Sequence, residues 1–126
     1  MDLWVGMDLL DLMDEQRRRP AALAQAGAAV TLVGRDPNRA AEIVTQMNAA
    51  APAGSSPQHS FVACDCFQLA NVATCAAQLT AASASGKLDF LVLTQGMATT
   101  QGRTDTPDGL DQKLTLHYFS LRSQSI

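Results

Sequence analysis

The chain has 126 residues, a length that suits one domain and leaves no room for two comfortable ones. Nine Lys and Arg against twelve Asp and Glu give a net charge of −3, mild acidity that argues against a nucleic-acid or anionic-membrane surface. Hydrophobic residues at 47% with 17% charged exclude a disordered chain, and 5% aromatics beside 21 alanines imply a core of small and aliphatic side chains.

The first thirteen residues are apolar but carry Asp2, Asp8 and Asp11 and no early Lys or Arg. That pattern argues against a secretory signal, and no window reaches the ~18 consecutive apolar residues of a membrane span. Within this stretch Leu3-Trp4-Val5-Gly6 reads as a very short strand, and residues 8–15 read as one helical piece. Arg17-Arg18-Arg19 and Pro20 should interrupt it, because proline removes a helix hydrogen bond and disfavours helix in the residue before it. Residues 21–26 then form helix, with Gly27 as its natural C′ residue.

The most readable segment follows. Ala28-Ala29-Val30-Thr31-Leu32-Val33 is a short apolar run bounded by Gly27 and Gly34, which reads as a strand buried on both faces. Asp36 is an N-cap candidate with Pro37 at the first helical position. Ala40, Ile43, Val44 and Met47 continue at helical spacing, and the loop Ala51-Pro52-Ala53-Gly54-Ser55-Ser56-Pro57 ends the helix. Ser60-Phe61-Val62-Ala63-Cys64 is a second strand, terminated by Asp65. Leu69, Val72, Cys75, Ala76 and Leu79 give a helical stripe over about residues 67–82. Leu88-Asp89-Phe90-Leu91-Val92-Leu93 is a third strand, followed by a polar loop. Pro107 or Asp108 should open a last helix with Leu110, Leu114, His117, Tyr118 and Leu121 on one side.

Strands alternating with helices of this length predict an α/β fold with βαβ crossovers and a parallel sheet covered on both faces. The cysteines, Cys64, Cys66 and Cys75, are odd in number and lack the spacing of a zinc site, so they read as small buried thiols of a reducing, cytoplasmic compartment. His59 and His117 match no metal spacing either, so no metal site is expected.

From about residue 20 to 120 the chain resembles the short-chain dehydrogenase/reductase family, with its NAD(P)-binding Rossmann fold. The run from Ala22 through Gly27 to Val30 looks like the end of the family's first helix entering its second strand. Val33-Gly34-Arg35 looks like that strand's end, where the family contacts the adenosine ribose. Two readings of Arg35 stand. It is a solvated surface arginine, or its guanidinium pairs with a 2′-phosphate, which with Arg39 one turn later favours NADP over NAD. Cys64-Asp65 looks like the end of the family's third strand, where an Asp meets the adenine amino group. The same Asp65 can also cap the next helix. Leu93-Thr94-Gln95-Gly96 aligns with the Asn-Asn-Ala-Gly motif, of which only Gly96 survives. His117 falls where many members carry an Asn of the proton relay, and it reads equally as a surface residue of its helix.

The resemblance thus implies Arg35, Asp65 and Gly96 as cofactor-binding residues and an NADP-preferring oxidoreductase acting on a carbonyl or alcohol. It also divides the chain into a divergent segment 1–19, a partial NAD(P)-binding Rossmann-like domain 20–120 and a divergent tail 121–126. Two family features are missing from the sequence. No glycine-rich phosphate turn precedes Ala21, where Gly6 is the only glycine, and Asp8 and Asp11 would repel a pyrophosphate there. No Tyr-x-x-x-Lys pair exists, since Tyr118 is the single tyrosine and position 122 is Arg, so no catalytic residue is assigned. The expectation is a family member truncated at both ends and inactive alone. The alternative is a non-catalytic Rossmann-like module acting in protein interaction or without a role. In the family's sheet the first strand lies between the second and the fourth. Here it is absent or replaced by the short N-terminal segment, so residues 29–33 should show little protection and open strand edges should favour self-association.

Overall fold

The structure, a computed structural model, describes residues 2–6, 14–55, 58–83, 88–94, 100–120 and 122. The expectations placed on Asp8, Asp11 and Gly96 lie outside the described residues.

Four strands form one parallel sheet: β1 (Asp2–Gly6), β2 (Ala29–Gly34), β3 (Ser60–Ala63) and β4 (Phe90–Leu93). The spatial order is β3-β2-β1-β4. The N-terminal segment therefore stands in the first-strand position. β1 pairs with β2 in the register Leu3↔Val30 and Val5↔Leu32, and with β4 in the register Leu3↔Phe90 and Val5↔Val92. The gap on which low protection of residues 29–33 rested is closed, because β2 is paired with β1 on one side and β3 on the other.

Helices α1 (Asp14–Gln25), α2 (Pro37–Ala50) and α3 (Leu69–Ala82) connect the strands. β2 shows why both faces must be covered. Val30 and Leu32 point into one core with Ala24 of α1 and Ile43 and Met47 of α2. Val33, one residue on, joins the opposite core with Val72, Cys75 and Leu79 of α3 and Leu116 near the C-terminal end. Successive side chains of a strand alternate faces, so an apolar run such as Val30–Val33 needs a helix layer on each side. Removing a residue such as Leu32 from water is worth about 2 kcal/mol.

Two helices depart from the sequence expectation. α1 runs straight through Pro20. An interior proline costs a helix about 3 kcal/mol. Here the ring is fully buried, and packing of this buried side chain offsets the lost hydrogen bond. The helix ends as expected: Gly27 has φ +89°, its N–H donates to the Ala24 carbonyl at 2.9 Å, and the Ala28 N–H donates to Leu23 at 3.1 Å. This is the Schellman pair of bonds, which requires the left-handed conformation glycine adopts without strain.

The last helix, α4 (Gln112–Leu114), begins later than Pro107 or Asp108 and continues into a π-helical turn (Thr115–Phe119). Asp111 is the N-cap, accepting hydrogen bonds from the Lys113 and Leu114 N–H groups. Residues 106–110 instead form a turn closed by Thr106 N–H to the Leu110 carbonyl at 2.7 Å, with Gly109 at φ +75°. Asp108 is committed elsewhere: its Oδ2 accepts from the Leu69 N–H at 2.9 Å, capping α3 from 39 residues away. Gln68, the local N-cap residue of α3, makes no side-chain cap, so the helix start takes its partner from the distant loop.

Candidate functional site: a cavity at the carboxyl ends of β2 and β3

In an open parallel sheet, ligands bind beyond the carboxyl ends of the strands. Two strand ends meet there in this chain. The Cys64 N–H donates to the Gly34 carbonyl at 2.8 Å, which extends the β2–β3 ladder by one bond. In this register Arg35 follows β2 opposite Cys64, and Asp65 comes one residue later.

Asp65 fixes the turn that follows β3. Its Oδ1 accepts from the Phe67 N–H at 3.0 Å, and its carbonyl accepts from the Gln68 N–H at 3.2 Å. The turn presents the Phe67 ring, and the Arg35 guanidinium lies over it with Cζ 4.9 Å from the ring centroid. Stacking uses the flat face of the guanidinium, and its hydrogen bonds are made in the plane. Arg35 is thus held on an aromatic platform at the end of β2, half-buried.

Arg35, Ala63, Cys64 and Asp65 form one wall of a cavity of about 510 Å³, and Asn71, Thr74, Cys75 and Gln78 of α3 form the other. That volume falls within the range of small-ligand sites. Of the residues singled out in the sequence, Arg35 and Asp65 are brought together. Arg39 is not in the cavity wall, and Asp36 caps the start of α2 with bonds to the Asn38 and Arg39 N–H groups at 2.9 and 3.2 Å. His117 is exposed. Asp65 caps the turn after β3 and not α3 itself, whose N-cap position is Gln68, and it also lines the cavity.

Sequence reading missed the α3 wall and Phe67. Residues 71, 74, 75 and 78 share one helix face by spacing, beside the apolar stripe, and a polar face next to a strand end was the available signal. Phe67 carried no such signal, because its role depends on the approach of Arg35 from another strand.

The structure also gathers the three cysteines. All are free and buried. Cys64, Cys66 and Cys75 pack in one buried cluster. The contact with Cys66 pulls Cys64 down, but the proton shared toward Cys75, burial and the charges of Cys75 and Asp65 outweigh it and push Cys64 up to about 12. The hydrogen bond from Cys64 in turn holds Cys75 below the usual thiol range, against the opposing effect of burial. No group of three His, Cys, Asp or Glu among the described residues is arranged to hold a metal ion, and no described helix is long and apolar enough to cross a membrane.

No protein-family model and no curated protein matches the chain. Solved structures do match its fold. A variant of a Serratia marcescens short-chain dehydrogenase/reductase matches with TM-score 0.74 and 21% identity, over 98% of this chain and 47% of that one. The Pseudomonas aeruginosa RhlG/NADP active-site complex matches with TM-score 0.70 and 23% identity, over 98% and 44%. A short chain dehydrogenase from Mycobacterium smegmatis matches with TM-score 0.69 and 20% identity, over 98% and 49%. The chain thus has the Rossmann-like α/β fold of short-chain dehydrogenase/reductases and spans less than half the length of the structures it matches.

Proposed function

We propose that the chain is the nucleotide-binding part of a short-chain dehydrogenase/reductase-like oxidoreductase and that its cavity takes the adenosine end of NADP. The observation that carries this reading is Arg35 stacked on Phe67 in the same cavity wall as Asp65. A cation at the end of the second strand suits a 2′-phosphate, whereas an acidic residue there would repel it. Asp65 supplies an acceptor for the adenine amino group, and the α3 wall, with Asn71, Thr74 and Gln78, supplies further hydrogen-bonding groups. The cofactor, when bound, would bring the hydride. This chain's residues orient its adenosine half and contribute no Tyr-x-x-x-Lys pair, so the chain alone is inactive toward carbonyls and alcohols. Three free, buried thiols fit a reducing, cytoplasmic setting. Copies of the chain associate through the outer strands, of which β4 carries Phe90 more than half exposed.

Thermal shift with the two reduced cofactors tests the reading. NADPH should raise the melting temperature more than NADH, and Arg35→Ala should erase the difference. Equal shifts from both cofactors, or none at millimolar concentration, would remove the NADP assignment. Turnover of NADPH with a panel of carbonyls would remove the inactivity.

A further inference from the structure

The clustering of three thiols is not explained by nucleotide binding. Cys64 at the end of β3 packs in one buried cluster with Cys66 and with Cys75 of α3. Cys64 and Cys75 also line the open cavity, whereas Cys66 does not, so a small reagent reaches the first two from one side. The remaining surroundings are apolar: Val33, Phe67, Val72, Leu79 and Leu116 share the cluster. These neighbours hold the three sulfurs in one apolar cluster.

We propose that Cys64 and Cys75 are a hydroperoxide-oxidised dithiol, a modification site in the cavity wall whose product is an intrachain disulfide between β3 and α3. Cys75 acts first. Its thiolate sulfur attacks the O–O bond of the hydroperoxide, a sulfur–oxygen bond forms, and the other oxygen leaves as an alcohol, or as water when the oxidant is hydrogen peroxide, taking up the proton that Cys75 gave up. The Cys64 thiol then attacks the sulfenic sulfur of Cys75. The S–S bond forms, and the hydroxyl leaves as water with the Cys64 proton. Two thiols are oxidised by two electrons in total and one O–O bond is reduced. Cys75 is the better nucleophile of the pair because its sulfur accepts the hydrogen bond from Cys64. This proposal stands on the thiol contacts and the shared cavity, and it holds whichever nucleotide the cavity takes.

The alternative pairing, Cys64 with Cys66, joins near neighbours in the chain, and loss of the fold removes the packing that holds Cys75 beside Cys64. The two pairings therefore separate folded from unfolded chemistry. The test is oxidation of the purified chain with hydrogen peroxide in native buffer, alkylation of the remaining thiols, proteolysis and mass mapping. The expected result is a monomeric chain lighter by two hydrogen atoms, a Cys64–Cys75 linked peptide and an alkylated Cys66. In urea the same treatment should shift the link to Cys64–Cys66. Cys66→Ala should leave the Cys64–Cys75 bond intact. A native map with no disulfide, with Cys64–Cys66 dominant, or with only intermolecular links would overturn the proposal. That wild-type map decides the matter even where a variant fails to fold.

Discussion

His59 shows how one side chain extends a sheet. β3 begins at Ser60, opposite Thr31. One residue earlier, His59 Nδ1 accepts from the Val30 N–H at 3.1 Å, in place of a backbone carbonyl. Because Nδ1 accepts, the neutral ring carries its proton on Nε2, a buried atom with no hydrogen-bond partner among the described residues. Protonation would put a second N–H at Nδ1, facing the Val30 N–H donor to donor. Burial accordingly lowers the His59 pKa from 6.5. The sign of the pH effect follows. The unfolded chain binds the proton more readily than the folded one, so this contribution to stability is complete above pH 6.5 and is lost as the pH falls below it. Melting temperature measured from pH 7.5 down to 5.5 should fall for the native chain. His59→Gln keeps an acceptor for Val30 and removes the titration, and it should flatten that slope. An unchanged slope in the variant would assign the pH dependence to other groups.

The start of α2 shows an element written in its own sequence. Asp36 sits in extended backbone at φ −105°, its carboxylate accepts from two helix N–H groups, and Pro37 occupies the first turn, where no N–H is needed. Asp36→Ala should cost about 1 kcal/mol, a fall of roughly 4 °C in melting temperature, while Asp36→Asn should lose little. Chemical denaturation of both variants checks this, and equal losses would assign the effect to charge and not to the cap. The same locality explains which elements were legible. The second strand, expected over 28–33 and found over Ala29–Gly34, and the caps at Gly27 and Asp36 each depend on residues within one turn of each other, and each stands within one residue of its expected place. The start of α3 depends on Asp108, 39 residues away. With Asp108 so engaged, α4 starts at Gln112 behind Asp111 as its N-cap. Pro20 inside α1 is tolerated because of burial, a property of the packed molecule. Half of the cavity followed the same division: its strand-end wall was readable, and its α3 wall and the Phe67 platform arise only when elements meet.

At the scale of the whole molecule, the decisive fact is what stands between β2 and β4. Had that position been empty, two apolar strands would have shared a missing neighbour. With β1 in place, β2 becomes the central strand of three, with its N–H groups directed to β1 and β3. The unpaired edges move outward, to β3 and β4. Among the described residues β4 is bonded on the β1 side only, and Phe90 at its start is 54% exposed. An open, apolar edge is a template for another strand. Backbone hydrogen exchange measured at two protein concentrations reads both consequences in one experiment. In dilute solution the amides of residues 30–33 should be protected to the same degree as those in the middle of α2, because both open only with the core. Rapid exchange there would mean that β1 leaves the sheet in solution. Raising the concentration should add protection to residues 90–93 and leave 30–33 unchanged, since association through the β4 edge covers N–H groups that no described strand of this chain reaches. Added protection spread evenly over the chain, or none, would exclude β4 as the joining edge.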